Sequence, residues 1–249
     1  MVKRNFQDYL SNYYELGFED VQEKFRKKRL VELVRQLKEE QNFRNILEVG
    51  PGRNSISDCL LPCERYVVLE PIREFFELIT LEDSSVSVRN ETAEQYFASE
   101  SKIVFDLVIL SSVLHEIENL PTFMKELLQI LTQDAKVLVV LPNNISLHRI
   151  IGQFEGIQNS GQELTSTEIR MQQKASFSPD SFITFAMEHN FKVEVSFTSF
   201  IKPFPHFKMH ALIESGVINE TNLDFLYSLS EHLEPYGSEI FAVLGRADG

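Results

Sequence analysis

The stretch NILEVGPGRNS, residues 45–55, decides how this chain reads. An apolar run of Ile46, Leu47 and Val49 leads into Gly50 and Gly52 around Pro51, and a carboxylate, Glu48, sits inside the run. A short apolar segment closed by glycines is the pattern of a buried strand feeding a tight turn. Glycine lets the backbone of such a turn approach a ligand, and the helix that follows offers free N–H groups. A carboxylate buried without a partner is costly, so something must meet Glu48.

Outward from this turn the pattern alternates. RYVVLE (65–70), SVSVRN (85–90), IVFDLVILSS (103–112), KVLVVLP (136–142), FKVEVSFTSF (191–200) and SEIFAVLG (238–245) read as further strands, seven with the first. Between them lie helical patterns. One runs from Pro71, with Phe75, Phe76 and Ile79 on one side. Another, LPTFMKELLQIL (120–131), has Pro121 in its first turn and Phe123, Leu127, Leu128 and Leu131 on one face. A third, SPDSFITFAMEHN (178–190), starts with Ser178 as N-cap and Pro179 as first helical residue and stops at Asn190. Two more helical stretches fall between about residues 206 and 232. Strands alternating with helices predict an α/β fold with a doubly wound parallel sheet. The last strand arrives without a crossover helix, so it is expected to be antiparallel. Residues 1–42 read as an N-terminal helical cap, with Leu30, Leu33, Val34 and Leu37 at helical spacing, and 43–249 as the main domain. Residues 143–177 look like an insertion after strand five.

The whole chain has 249 residues, enough for one large domain with additions, and 43% are hydrophobic. Its formal net charge of −13 repels phosphate backbones and anionic lipid heads. No nucleic acid and no membrane are therefore expected as partners, and a second copy of the chain is the macromolecular partner left open. The basic run KFRKKR (24–29) lies in a helical pattern and reads as a solvated face. Cys59 and Cys63 have no zinc-type or thioredoxin-type spacing, no metal-ligand cluster is seen, and the start MVKRNFQDYL has no apolar signal region. The expected setting is cytoplasmic, with no metal.

In a doubly wound sheet ligands bind at the carboxyl ends of the strands, beside strand one. The dinucleotide fingerprint calls for a third glycine, where this chain has Ser55. A carboxylate at Glu48 would be repelled by a pyrophosphate and attracted by an ammonium group. Glu70, at the end of strand two and eighteen residues after Gly52, is placed to accept both hydroxyls of a ribose. A nucleoside carrying an amino-acid ammonium fits both acids, and S-adenosylmethionine has both parts.

ILEVGPG, VVLEP and FDLVILSSVLHEI resemble the motifs of class I S-adenosylmethionine-dependent methyltransferases, and the resemblance runs over about the whole chain. The later LPNNISLHRIIG, MQQKASFSPDSF and FIKPFPHFKM resemble a bacterial subgroup associated with sugar or surface-polysaccharide pathways. The resemblance implies a Rossmann-like fold and a bound S-adenosylmethionine, released as S-adenosylhomocysteine. It implies that Glu48 faces the methionine part of the cofactor, mostly through water, with Asn54 or Ser55 sharing that work. Gly50, Pro51 and Gly52 back the cofactor, and Glu70 with Pro71 holds the ribose. Glu91, Thr92 and Ala93 border the adenine, and Ser111 and Ser112, at the end of strand four, are further cofactor-binding candidates. Many members have Asp where this chain has Thr92, which leaves the adenine amine to backbone groups.

Methyl transfer from a sulfonium mainly requires proximity and alignment, with a base where the acceptor is a hydroxyl or amine. His115, after strand four, reads as that base or as a buried ring bonded to a nearby carbonyl. Glu116 beside it orients the ring or caps a helix. His148 and Arg149, past strand five with Asn143 and Asn144, read as acceptor-binding at the cleft mouth, His148 being a second candidate base and Arg149 suiting a carboxylate or phosphate. The other reading turns both outward to water, with Ile150 and Ile151 packed inward. Tyr13, Gln172, Gln173 and His206 complete the acceptor-side candidates, and Lys202 reads as surface charge. The expected function is methylation of a small-molecule acceptor at O or N, a sugar or polysaccharide precursor among the candidates. Protein or RNA methylation, dinucleotide redox chemistry and cofactor sensing without catalysis are the alternatives.

Overall fold

The computed structural model describes residues 4–15, 17–79, 83–99, 103–156 and 164–247. Part of the expected insertion, 157–163, lies outside the described residues, as do 1–3 of the expected cap.

Two helices, α1 (Phe6–Glu15) and α2 (Glu19–Glu40), precede β1 (Asn45–Val49). There follow β2 (Arg65–Leu69), α3 (Arg73–Leu78), β3 (Val86–Arg89), α4 (Ala93–Ala98), β4 (Phe105–Ser111) and α5 (Leu120–Gln129). Then come β5 (Leu131–Pro142), α6 (Leu147–Phe154), α7 (Ser166–Arg170), α8 (Pro179–Glu188) and β6 (Phe191–Ser199). The chain closes with α9 (His206–Glu214), α10 (Glu220–Leu229) and β7 (Glu239–Arg246). The seven strands form one sheet in the order β3-β2-β1-β4-β5-β7-β6. β1 pairs in parallel with β2 and β4, whereas β7 runs antiparallel to both β5 and β6. This is the expected Rossmann-like fold with its last strand reversed. The order changes direction between β1 and β4, so a crevice opens at their carboxyl ends.

Alternation along β1 divides the core. Leu47 and Val49 join Phe123, Leu127 and Phe182 on the side of α5 and α8. Ile46 faces the opposite way, with Val68, Ile109 and the Leu30, Leu33 and Val34 stripe of α2. Successive strand residues point to opposite faces, so Glu48 shares the face of Ile46.

Local chemistry fixes the helix starts. Thr92 and Gln95 form a capping box at α4, and Thr165 and Glu168 another at α7. Ser178 caps α8 ahead of Pro179, as expected. One boundary differs: Leu131, expected on the face of α5, opens β5 and pairs with Phe105. Backbone pairing with a buried neighbour strand outweighs the helical spacing there. The ends of the 143–177 segment meet, since Asn143 bridges Phe177 and the Asn144 N–H donates to the Phe177 carbonyl at 2.9 Å. Between them, Arg149 on α6 makes two bonds to Glu168 on α7, at 2.8 and 2.9 Å. Among the described residues no helix is long and apolar enough to cross a membrane.

Candidate active site

Gly50 and Gly52 take φ of +66° and +63° at the end of β1. These values lie in the left-handed region, where a side chain is strained. Glu70, at the end of β2, is 2% exposed. One of its oxygens accepts the Gly52 N–H at 3.0 Å and the other the Ile72 N–H at 2.9 Å. Burial pushes its pKa up to about 8 against the pull of these two bonds, with the Glu116 charge adding to the rise.

A cavity of about 1230 Å³ begins at this turn. Gly50, Pro51, Gly52, Glu70, Pro71, Thr92, Ala93, Ser111 and Ser112 line it, all expected to border the cofactor. Thr92 spends its side chain on the cap of α4, accepting from the Gln95 N–H at 3.2 Å. The cavity continues to Tyr13, His115, Glu116, Asn143, His148, Arg149, Gln173 and His206, so both sets of candidates share one space. α1 roofs it. Tyr13 packs edge-on against Phe75 at 5.3 Å, and Arg170 holds Asn12 at 2.9 Å.

Several expectations are corrected. Glu48 does not line the cavity: its carboxylate, 1% exposed, accepts from Ser55 Oγ at 2.5 Å, Ile56 N–H at 3.1 Å and Tyr66 OH at 2.9 Å. Strand alternation sends it under the turn, where these protein donors meet it. Asn54 stands outside the cavity as well, donating to Glu23 at 3.0 Å. Glu91 turns to Arg89 at 3.4 Å. Asn144 is buried outside the cavity, and Asn143, though lining it, spends its amide on the Pro235 and Gly237 carbonyls, both at 2.7 Å. Gln172, at φ +57°, swings out to bracket the Asn5 backbone with bonds of 2.9 and 2.7 Å. Arg149 is neither turned to water nor free for an anion, because Glu168 occupies its guanidinium fork. Lys202 is not surface charge; it is 3% exposed and donates to Gln22 at 3.2 Å, and burial lowers its pKa to about 8.

The histidines sort by environment. The His115 ring is buried and lines the cavity, but its Nδ1 has no partner and its Nε2 stands 3.9 Å from Glu116. The ring is not bonded to a carbonyl; it is the His115 carbonyl that is engaged, accepting from the Lys174 N–H at 2.7 Å. Burial, with the charges of Arg4 and Arg26, lowers the ring to about 3, so it is neutral at physiological pH. Arg4 pairs with Glu116, whose own pKa burial pushes up. His148 Nδ1 meets Ser146 Oγ at 3.0 Å, and burial and nearby cations push it well down. His206 Nδ1 lies 2.8 Å from Glu19. Burial and Lys202 lower His206, whereas His206, Arg26 and Lys202 outweigh the upward push of burial on Glu19 and bring it to about 2.

α2 holds residues that reading by motif passes over. Glu19, Gln22, Glu23 and Arg26 all line the cavity, and Arg26 binds Glu239 at 2.8 Å rather than joining a solvated face. Their spacing continues the stripe of Leu30, Leu33, Val34 and Leu37 towards the amino end. Extending that stripe into charged residues is the signal that would have found them. Among the described residues no group of three or more His, Cys, Asp or Glu is placed to hold a metal ion.

The residues at the turn fit S-adenosylmethionine. Two side-chain-free positions open the backbone to the cavity, and a buried carboxylate stands beside them at the end of the next strand. Comparison with known proteins agrees. No curated protein matches the sequence. Among solved structures, the plantazolicin methyltransferase BamL, in complex with a triazolic desmethylPZN analog and S-adenosylhomocysteine, superposes with a TM-score of 0.59 at 14% identity, covering 98% of this chain and 94% of that one. The N-methyltransferase NodS from Bradyrhizobium japonicum WM9, with S-adenosylhomocysteine, gives 0.56 at 14% identity, covering 97% and 99%. A SAM-dependent methyltransferase from Archaeoglobus fulgidus gives 0.56 at 16%, covering 91% and 97%. At these identities the likeness concerns the fold. A family model described as "Methyltransferase domain" matches residues 21–195, well over half of the chain; the chain belongs to this family and is an S-adenosylmethionine-dependent methyltransferase.

Proposed function

We propose that this enzyme methylates a small-molecule acceptor at an oxygen or nitrogen. The observation that carries this reading is the single cavity of about 1230 Å³ joining the glycine turn and Glu70 to His115 and His148 beneath α1. Pockets for one ligand run to roughly 300–1,000 Å³, so a cofactor and a modest acceptor fill this space together. Bound S-adenosylmethionine supplies an already activated methyl group. The chain's own part is to hold the ribose at Glu70, to exclude water with α1, and to align the acceptor against the neutral ring of His115. That ring accepts a hydrogen bond from an acceptor N–H or O–H and leaves the lone pair aimed at the methyl group.

The charge of the lining narrows the acceptor. It has ten glutamates against five Arg and Lys residues. The most enclosed of those cations, Arg26 and Arg149, are already bonded to glutamates. An uncharged or amine-bearing acceptor suits this lining better than a phosphorylated one. The net charge of −13 disfavours RNA. The test is transfer of labelled methyl from S-adenosylmethionine into a cell extract split by ultrafiltration. Label is expected in the small-molecule fraction. Label confined to proteins or RNA would overturn the reading.

A further inference from the structure

The sequence sets an acid before the glycine turn, yet the structure gives the cavity a different one. Glu48 is closed in by three donors beneath the turn. Glu23 stands on the cavity side. Its Oε1 lies 3.3 Å from where a side chain on Gly52 would begin, so it hangs directly over the turn. It is 6% exposed and lines the cavity from α2.

Its surroundings orient it without using it up. The Tyr13 hydroxyl donates to Oε1, and Asn54 Nδ2 donates to Oε2 at 3.0 Å. Arg53 approaches Oε2 only to 3.6 Å, because its nearer carboxylate is Asp20. A carboxylate has about four acceptor sites, and two hydrogen bonds leave sites open over Gly52. The two donors are a hydroxyl and an amide, which fix the rotamer, and the nearest cation, Arg53, is shared with the closer Asp20. A buried carboxylate in this condition is stabilised by a cation with N–H groups.

Building on the methyltransferase reading, we infer that Glu23 is the carboxylate that receives the amino-acid ammonium group of the cofactor, and that Glu48 instead braces the turn from behind. α2 thus supplies a cofactor-binding residue in addition to its share of the core. Tyr13 and Asn54 act as positioning residues through Glu23.

Calorimetric titration with two probes tests this. S-adenosylhomocysteine carries the amino-acid end, and 5′-methylthioadenosine lacks it. Glu23→Gln, which keeps the shape and removes the charge, is expected to weaken S-adenosylhomocysteine by about ten- to a hundredfold, the range for a hydrogen bond to a charged group. It is expected to leave 5′-methylthioadenosine within about twofold of the parent on the same scale. In the unaltered protein, S-adenosylhomocysteine lacking its amino group is expected to lose a similar factor, a measurement that needs no variant to fold. Equal binding of both probes by parent and Glu23→Gln, equal loss on both probes, no penalty for the missing amino group, or the selective loss appearing in Glu48→Gln would each overturn the inference. Failure of the unaltered protein to bind S-adenosylhomocysteine at all would instead remove the methyltransferase reading on which it rests.

Discussion

Glu70 combines burial with two backbone donors, and its chemistry is exposed to pH. In the unfolded chain its pKa returns to about 4.5, whereas in the folded protein it stands near 8. Between these values the unfolded state has released a proton that the folded state keeps. Stability contributed by this group is therefore complete below about pH 4.5 and lost as pH rises through 8. Glu70→Gln should flatten that part of the stability profile, as read by denaturant unfolding across pH; an unchanged slope would contradict it. With the ribose assigned to Glu70, Glu70→Ala should weaken S-adenosylhomocysteine by about 1–3 kcal/mol in calorimetry. His115 makes a different prediction. Its ring is neutral down to about pH 3, so the pH–rate profile should show no inflection from it near 6.5. His115→Ala should keep cofactor affinity and lower turnover by about a hundredfold, as for loss of a positioned proton acceptor. Full activity would leave the ring a packing role only. At this scale the placement of the glycine turn and of Glu70 beside it was legible in the sequence, because it depends on immediate neighbours along two strands. The direction of Glu48 was misread: the sequence set it towards the cofactor, whereas strand alternation puts it on the face of Ile46, against the apolar side of α2.

At the scale of elements, α2 and the 143–177 segment show what spacing does and does not carry. The stripe along α2 passes from Glu19, Gln22, Glu23 and Arg26 into Leu30, Leu33 and Val34, so one helix both lines the site and joins the core. A composition reading of KFRKKR saw only charge, whereas period places Arg26 inward and Lys24 and Lys28 outward. The partner of Arg149 was not legible, since Glu168 lies nineteen residues away across a segment without a strong pattern. Glu168 also caps α7, accepting the Thr165 N–H at 2.7 Å. Arg149→Met should therefore strand a buried carboxylate and cost about 3–5 kcal/mol in unfolding experiments, while the double variant Arg149→Met, Glu168→Met should recover much of it. A loss in the double variant equal to the sum of the losses in Arg149→Met and Glu168→Met alone would show that the pair is not coupled.

Over the whole molecule, the sheet places the reaction and the helices outside it shape the acceptor space. The reversal of strand order between β1 and β4 opens the crevice, and alternation of strands and helices announced that arrangement in the sequence. The roof was less visible, because α1 is held by contacts distant in sequence, such as Asn12 to Arg170 and Asn5 to Gln172. A crystal structure with S-adenosylhomocysteine tests the account most directly. The account predicts the ribose on Glu70, the homocysteine end over Gly50 and Gly52, and open volume beyond the sulfur bounded by Tyr13 and His115. A cofactor bound elsewhere, or a sulfur facing a filled core with no space for an acceptor, would contradict it.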